Sequence, residues 1–350
     1  MASLFRSSPL RTAAAAVVTC ALAAAGAVLA PAAQASPATS PATSPIASAA
    51  RAERPSTPRA DAPMGAPVAG RVLGEAGIRP QDRPGVQRFR ELRDGLVAPD
   101  RPSVGAAGRT APEGADLAEL AHRWWGTELG PNGNTGFDGV TATHTLDASL
   151  RLSSADDFLY APTTKARANS CIELVTVHTQ ASAQVWAWDW CNADPAQQVG
   201  ATVDIDSAFL QKYGSTVNGR SAYTVRIQLT DAGANAWTAS LYNVTTSTWD
   251  PFFTSQGTDQ TTLAYGWDMF EYYSDQTASG SVGVCQDLSG RVVETTGLKV
   301  HDPVTGAWTD AGPANSTVFP DATMNPSDYF CPGIAGRMAA PYSAWQVSVR

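Results

Sequence analysis

The sequence is poor in the residues from which the commonest hydrolytic and metal sites are built. Its 350 residues hold four histidines, His122, His144, His178 and His301, each standing apart from the others. It has no His-Glu-x-x-His, no Gly-x-Ser-x-Gly and no phosphate-cradling glycine loop after a strand, which leaves zincin, serine-triad and P-loop chemistry without support. No two of the five cysteines stand at Cys-x-x-Cys spacing, so a structural zinc site lacks its framework. Asp204 and Asp206 are the best calcium ligands available, and acids near the end of a short strand are usually just solvated. Neither a metal nor a cofactor is expected. Past residue 35 no apolar run approaches the roughly 18 residues that a spanning helix requires, so the mature chain is expected to be soluble.

What is present divides unevenly. Arg6 and Arg11, the apolar run 13–30 and the small-residue pattern Ala33-Gln34-Ala35 together read as a signal peptide cleaved after Ala35, which implies export and a secreted protein. Residues 36 to about 70 are Ser, Pro, Ala and Thr with scattered Arg, a composition too poor in apolar residues to offset the entropy of ordering, hence a disordered linker. In the stretch from Pro84 to Leu96, Val86, Phe89 and Leu92 fall on one helical face among charged neighbours, as in a short amphipathic helix of a propeptide or linker. Pro102 to Gly114 is again linker-like, so the extension is expected to run over 36–114 and the folded domain over 115–350. The first 110 residues carry thirteen arginines and no lysine against seven acids, which leaves eleven bases against twenty-five acids for the rest. So acidic a domain argues against nucleic acid or an anionic membrane as partner and leaves an extracellular peptide or polysaccharide.

Ala115 to Trp125 places Leu117, Leu120, Ala121 and Trp124 at helical spacing with Asp116 and Glu119 in the first turn, predicting a short N-terminal helix. Beyond Gly136 the chain is a series of short alternating runs broken by Gly, Asn, Asp and Pro. Val140–Leu146, Ala148–Leu152, Ala201–Ile205, Tyr223–Leu229, Trp237–Val244, Leu263–Tyr273, Val282–Cys285, Val292–Thr295, Leu298–His301 and Ala344–Val349 read as strands. Strands without intervening helices predict an all-β, antiparallel sandwich. The segments Tyr242 to Trp249 and His301 to Trp308 echo each other as a turn followed by Trp, which keeps a β-propeller as the minority alternative, although two copies do not establish blades.

Cys171 to Cys191 is the most informative stretch. Cys20 leaves with the signal, and the four remaining cysteines of an exported chain read as two disulfides. Two β-rich runs, 171–177 and 185–191, flank a polar loop as in a hairpin, which favours Cys171–Cys191 and leaves Cys285–Cys331. A bond directly across the hairpin would oppose Glu173 to Asp189, and Ile172, Leu174 and Thr176 to Trp190, Trp188 and Trp186 on an apolar core face. Opposed carboxylates raise one another's pKa, so Asp189 is expected to tune Glu173. In Tyr265 to Tyr273, Glu271 shares one face with Trp267, Met269 and Tyr273, while Asp268 shares the other with Phe270 and Tyr272. Whichever face is buried carries an acid among aromatic rings, where lost hydration lets a carboxyl stay protonated as a general acid.

The order of these pieces resembles the neprosin family of secreted glutamic peptidases over roughly residues 136–275. Ser170 to Val177 is similar to the family's first glutamate strand, and Trp267-Asp-Met-Phe-Glu271 lies where its second glutamate falls. Here Glu271 is four residues after Trp267, where the family has Trp-Gly-Gly-Glu. The resemblance implies a peptide hydrolase in which one ionised glutamate activates water and one protonated glutamate polarises the scissile carbonyl, with Glu173 and Glu271 as the pair and Trp267 beside them. It also implies an acid-favoured site and an arginine-rich propeptide over the acidic cleft. The competing function is a non-catalytic carbohydrate-binding or interaction module, which needs the Trp ladder or the Tyr265 to Tyr273 aromatics on the surface.

Overall fold

The computed structural model describes residues 58–73, 79–97 and 120–350. The expected signal peptide, most of the linker before residue 58 and the linker at 102–114 lie outside the described residues.

Two antiparallel sheets pack face to face. One has eight strands: β1 (Val72–Leu73), β2 (Leu120–Leu129), β4 (Phe158–Lys165), β5 (Ile172–His178), β6 (Ala183–Asp189), β7 (Val199–Asp204), β12 (Gly266–Asp275) and β15 (Ser316–Phe319). The other has nine: β3 (Gly139–Thr145), β8 (Ser215–Val217), β9 (Arg220–Asp231), β10 (Ala236–Asn243), β11 (Thr248–Ser255), β13 (Val292–His301), β14 (Trp308–Asp310), β16 (Ile334–Ala340) and β17 (Ala344–Val349). The first runs β1-β7-β6-β5-β4-β12-β2-β15, and the second β11-β10-β9-β3-β13-β17-β16 with β8 and β14 on its sides. The helices are α1 (Pro84–Val97), α2 (Ser207–Tyr213) and α3 (Gly283–Asp287). This is the all-β sandwich that the alternating pattern predicts. The two echoing Trp segments are hairpin turns, with Trp249 opposite Tyr242 and Trp308 opposite His301, rather than propeller blades.

Period-two alternation places the core between the sheets. Ile172, Leu174, Val185, Ala187, Ala201 and Val203 meet Val140, Ala142, Tyr223, Val225, Ile227 and Trp237 in one half of it. Ala121, Trp125, Leu159, Phe270 and Tyr272 meet Val293, Trp345 and Val347 in the other. Disulfides join Cys171 to Cys191 and Cys285 to Cys331, as expected.

Several expectations are corrected. Residues 120–125, read as the end of a helix over 115–125, belong to β2 (Leu120–Leu129), because pairing with both β12 and β15 overrides a local spacing that also fits a strand. Residues 115–119 lie outside the described residues. The run 148–152 is turn and irregular chain, and Val282–Cys285 mostly enters α3 rather than a strand. Residues 58–73, read as the end of a disordered linker, dock on the second sheet: the Gly65 and Val68 amides donate to the Trp249 and Pro251 carbonyls at 2.8 and 3.0 Å. Arg226 anchors this segment by donating to the Ala60 carbonyl at 3.1 Å, its guanidinium 4.6 Å from the Trp249 ring centre. β1 then crosses to pair with β7 of the first sheet.

The register of the β5–β6 hairpin is also corrected. Trp190 and Cys191 sit in a turn beyond the end of β6, so the disulfide does not join directly opposed residues. Ile172 pairs with Asp189, Glu173 with Trp188 and Val175 with Trp186, one residue away from the expected register. A slip of one exchanges the two faces of a strand. Trp186 and Trp188 therefore stand with Glu173 on the outer face of the sheet, away from the core between the sheets.

Candidate active site

The outer face of the eight-stranded sheet collects acids and aromatic rings from five neighbouring strands. Alternation on β12 turns Trp267, Met269, Glu271 and Tyr273 to this face, and pairing with β2 sets Glu128 opposite Trp267, Trp124 opposite Glu271 and His122 opposite Tyr273. On the other side β4 sets Lys165 between Trp267 and Glu173 in register, and β6 brings Trp188 opposite Glu173. The sheet thus delivers Glu173 and Glu271 to one surface although 98 positions separate them in the sequence.

Glu173 is 2% exposed. The Trp267 indole N–H donates to its Oε1 at 3.0 Å, the Trp190 indole N–H to its Oε2 at 2.9 Å, and the Thr163 hydroxyl to Oε1. Burial pushes its pKa up from the ordinary 4.5 to about 7, and the charge of Glu271 adds to the rise. The bonds from Thr163, Trp267 and Trp190 act the other way by favouring the ionised form. Glu173 is thus a buried carboxyl inclined to keep its proton, with the charge of Glu271 within electrostatic reach on the same face.

Glu271, 8% exposed, is fixed through Oε1, which accepts the Tyr273 hydroxyl at 2.6 Å and contacts His122 Nε2 at 2.7 Å. The imidazole stacks on the Tyr273 ring with centroids 4.1 Å apart, which sets its orientation. Lys165 is wholly buried and paired with Asp259 at 2.9 Å, and burial lowers its pKa against the pull of Asp259 and Glu173. That pair ties the chain before β12 to the floor beside Glu173, and the Gln260 amide reinforces it by donating to the Trp190 carbonyl at 2.7 Å.

Of the residues picked from the sequence, Glu173, Glu271 and Trp267 meet on this face. Asp189 does not join them: it points away, accepts the Ser255 hydroxyl at 2.5 Å and the Cys191 amide at 3.1 Å, and so is not the neighbour that raises Glu173. Asp204 accepts from Arg83 and Gln184, and Asp206 caps α2 by accepting from the Phe209 amide. Sequence reasoning missed His122 and Glu128 of β2, the first of which falls in the stretch read as a helix. Burial raises the pKa of Glu128. It also missed Thr163, Lys165 and the role of Trp190, for which only the β4–β5 and β5–β6 registers give a signal.

Helix α1 covers one end of this face. Val86 and Phe89 are buried against Phe158, Tyr160, Val175, Val177, Trp186, Trp188 and Tyr273, with Leu92 partly buried beside them. The helical face read from the sequence is thus the one that docks, and its central contact is apolar. Arginines hold the rim, Arg83 to Asp204 at 2.7 Å and Arg88 to Asp156 at 2.5 Å.

No family model and no curated protein matches the chain. Among solved structures it is similar to scytalido-glutamic peptidase bound to a peptide-based transition-state analogue, with 12% identity over 66% of this chain and 100% of that one, at a TM-score of 0.35. The same peptidase with a transition-state analogue inhibitor gives 11% identity, the same coverage and a TM-score of 0.36.

Proposed function

We propose that this chain is a secreted hydrolase that cleaves peptide bonds with a pair of glutamates and water. The observation that supports the reading is that Glu173 and Glu271 lie on one sheet face, with Glu173 pushed up to about 7 by burial and by the charge of Glu271. Below that pH Glu173 holds a proton and donates it toward the scissile carbonyl oxygen. Glu271, oriented by Tyr273 and His122, takes a proton from water as its oxygen attacks the carbonyl carbon. Collapse of the tetrahedral intermediate breaks the C–N bond, and the amine leaves with a proton from the carboxyl pair. Two disulfides support an oxidising, extracellular setting.

A polysaccharide platform needs exposed rings, whereas Trp186 and Trp188 are buried beneath α1 and Trp267 is 6% exposed. The test is cleavage of an unfolded protein between pH 3 and 8 by the exported protein, set against Glu173→Gln and Glu271→Gln forms of matched stability. Each change is expected to lower kcat at least about 100-fold, and the parent rate to fall as pH rises through about 7. Cleavage that survives both changes would overturn the reading.

A further inference from the structure

Phe89 sits in a box of five aromatic rings. Its ring centre lies 4.9 Å from that of Tyr273, 5.1 Å from those of Phe158 and Tyr160, 5.7 Å from that of Trp186 and 5.8 Å from that of Trp188. Tyr160 lies parallel to it, and the other four stand edge-on or steeply tilted, so the box fits a flat ring rather than a branched aliphatic side chain. Its walls belong to β4, β6 and β12, with Val175 and Val177 of β5 in the same cluster.

Two of these walls also lead to the acids. Tyr273 donates its hydroxyl to Glu271 at 2.6 Å, and Trp188 is the cross-strand partner of Glu173. The box therefore shares a wall with the surroundings of each acid. The present occupant reaches it from outside the sandwich, on a helix whose backbone groups are bonded within the helix and so are not offered to an enzyme as an extended substrate would be. What fixes the helix is a rim of polar contacts, Arg88 to Asp156, Arg83 to Asp204 and the Gln81 amide to the Val199 carbonyl at 2.9 Å, around the single ring at its centre.

We propose that the Phe158, Tyr160, Trp186, Trp188 and Tyr273 box is the subsite for an aromatic side chain of the substrate, and that Phe89 plugs it until α1 is displaced. This rests on the hydrolase reading for its catalytic consequence, but not for the binding itself. Peptides carrying one Phe or Tyr near the scissile bond are the preferred substrates, and α1 is a competitive, self-supplied occupant. Its central contact is the ring, so the charge of the arginine-rich segment orients α1 at the rim rather than filling the cleft.

The experiment uses the full chain with Glu271→Gln to prevent turnover, with and without Phe89→Ala, titrated through its tryptophan fluorescence with a short peptide amide bearing one Phe and with its Ala counterpart. Opening the box is expected to tighten binding of the Phe peptide at least about 10-fold and to leave the Ala peptide at least about 10-fold weaker. Arg88→Glu, which breaks the rim and leaves every wall of the box in place, is expected to act in the same direction and serves if Phe89→Ala does not fold. Equal binding of the two peptides, or no gain on opening, overturns the proposal. Cleavage assays on the same variants with Glu271 intact separate the two readings. Ring-selective binding without cleavage retains the subsite and sinks the hydrolase, and cleavage indifferent to the ring retains the hydrolase and sinks the subsite.

Discussion

Asp268 and Glu271 of strand β12 stand three residues apart on opposite faces, and their surroundings differ in kind. Asp268 faces the interior with no exposure: the Trp345 indole donates to its Oδ1 at 2.6 Å, while the Thr164 hydroxyl donates to Oδ2 and His144 Nε2 lies 3.2 Å away. Donors from β4 and β17 and a histidine nitrogen from β3 converge on one carboxyl, tying three elements of the sandwich to β12. Glu271 faces outward, takes two contacts through one oxygen and shares its surface with a second carboxyl. Asp268 has the surroundings of an acid that holds structure, whereas the surroundings of Glu271 are those the proposed hydrolysis needs. The sharpest test crosses the two roles. Asp268→Ala takes the buried acceptor from the Trp345 indole and the Thr164 hydroxyl and is expected to cost about 4 kcal/mol in urea unfolding, while Glu271→Gln is expected to cost under about 1 kcal/mol and to remove the proposed hydrolysis. A loss below about 1 kcal/mol for Asp268→Ala would erase the distinction.

The second test uses pH and reads the outer face through stability. Glu173 titrates near 7 in the folded chain and near 4.5 when unfolded, so between those values the folded state binds more protons. Its contribution is fully present below about pH 4.5 and is lost as pH rises to about 7, on the order of 3 kcal/mol. His178, at the other end of β5, has the opposite sign. Burial lowers it from 6.5 to about 4, so its neutral form stabilises above pH 6.5 and that stability is lost as pH falls toward 4. The net slope therefore mixes the two, and the difference between the parent and Glu173→Gln isolates the carboxyl. Unfolding free energies measured at pH 4.5, 6 and 7.5 that run parallel in the two proteins would show that Glu173 is not held up.

The same contrast explains what could be read from the chain. Inward positions such as Tyr223, Val225 and Ile227 announce themselves by alternation, because burial between sheets forces a period of two. The docking face of α1 was legible for the equivalent reason at a period of 3.6. Placement on the outer face depends on register, which local sequence does not specify. Cys171 and Cys191 suggested one, but Cys191 lies past the strand end, and the resulting slip sent Asp189 to the wrong neighbour and Trp186 and Trp188 to the wrong face. His122 was hidden because the spacing of Ala121 and Trp124 fits a helix as well as a strand, and only the partners β12 and β15 decide between them, while Glu128 joins the face only through its pairing with Trp267.

The smallest effect probes the outer face at one bond. Thr163 stands opposite Val175 on β4, and its hydroxyl donates to Glu173 Oε1 alongside the Trp267 indole. A donor to the ionised form holds the pKa down, so Thr163→Val, which keeps the shape and removes the hydroxyl, is expected to move the titration of Glu173 further up. Stability at pH 5 changes by about 1 kcal/mol or less, because the carboxyl is then largely protonated and two indole donors remain. The alkaline limb of the hydrolysis profile shifts to higher pH with the plateau rate little altered. The interior counterpart, Thr164→Val, removes a donor from Asp268 and is expected to lower stability while leaving that limb where it was. Two adjacent threonines on one strand, each bonded to a carboxyl on its own side of the sheet, thus separate titration from structure. A limb that moves equally in both variants would mean that the two faces are not independent.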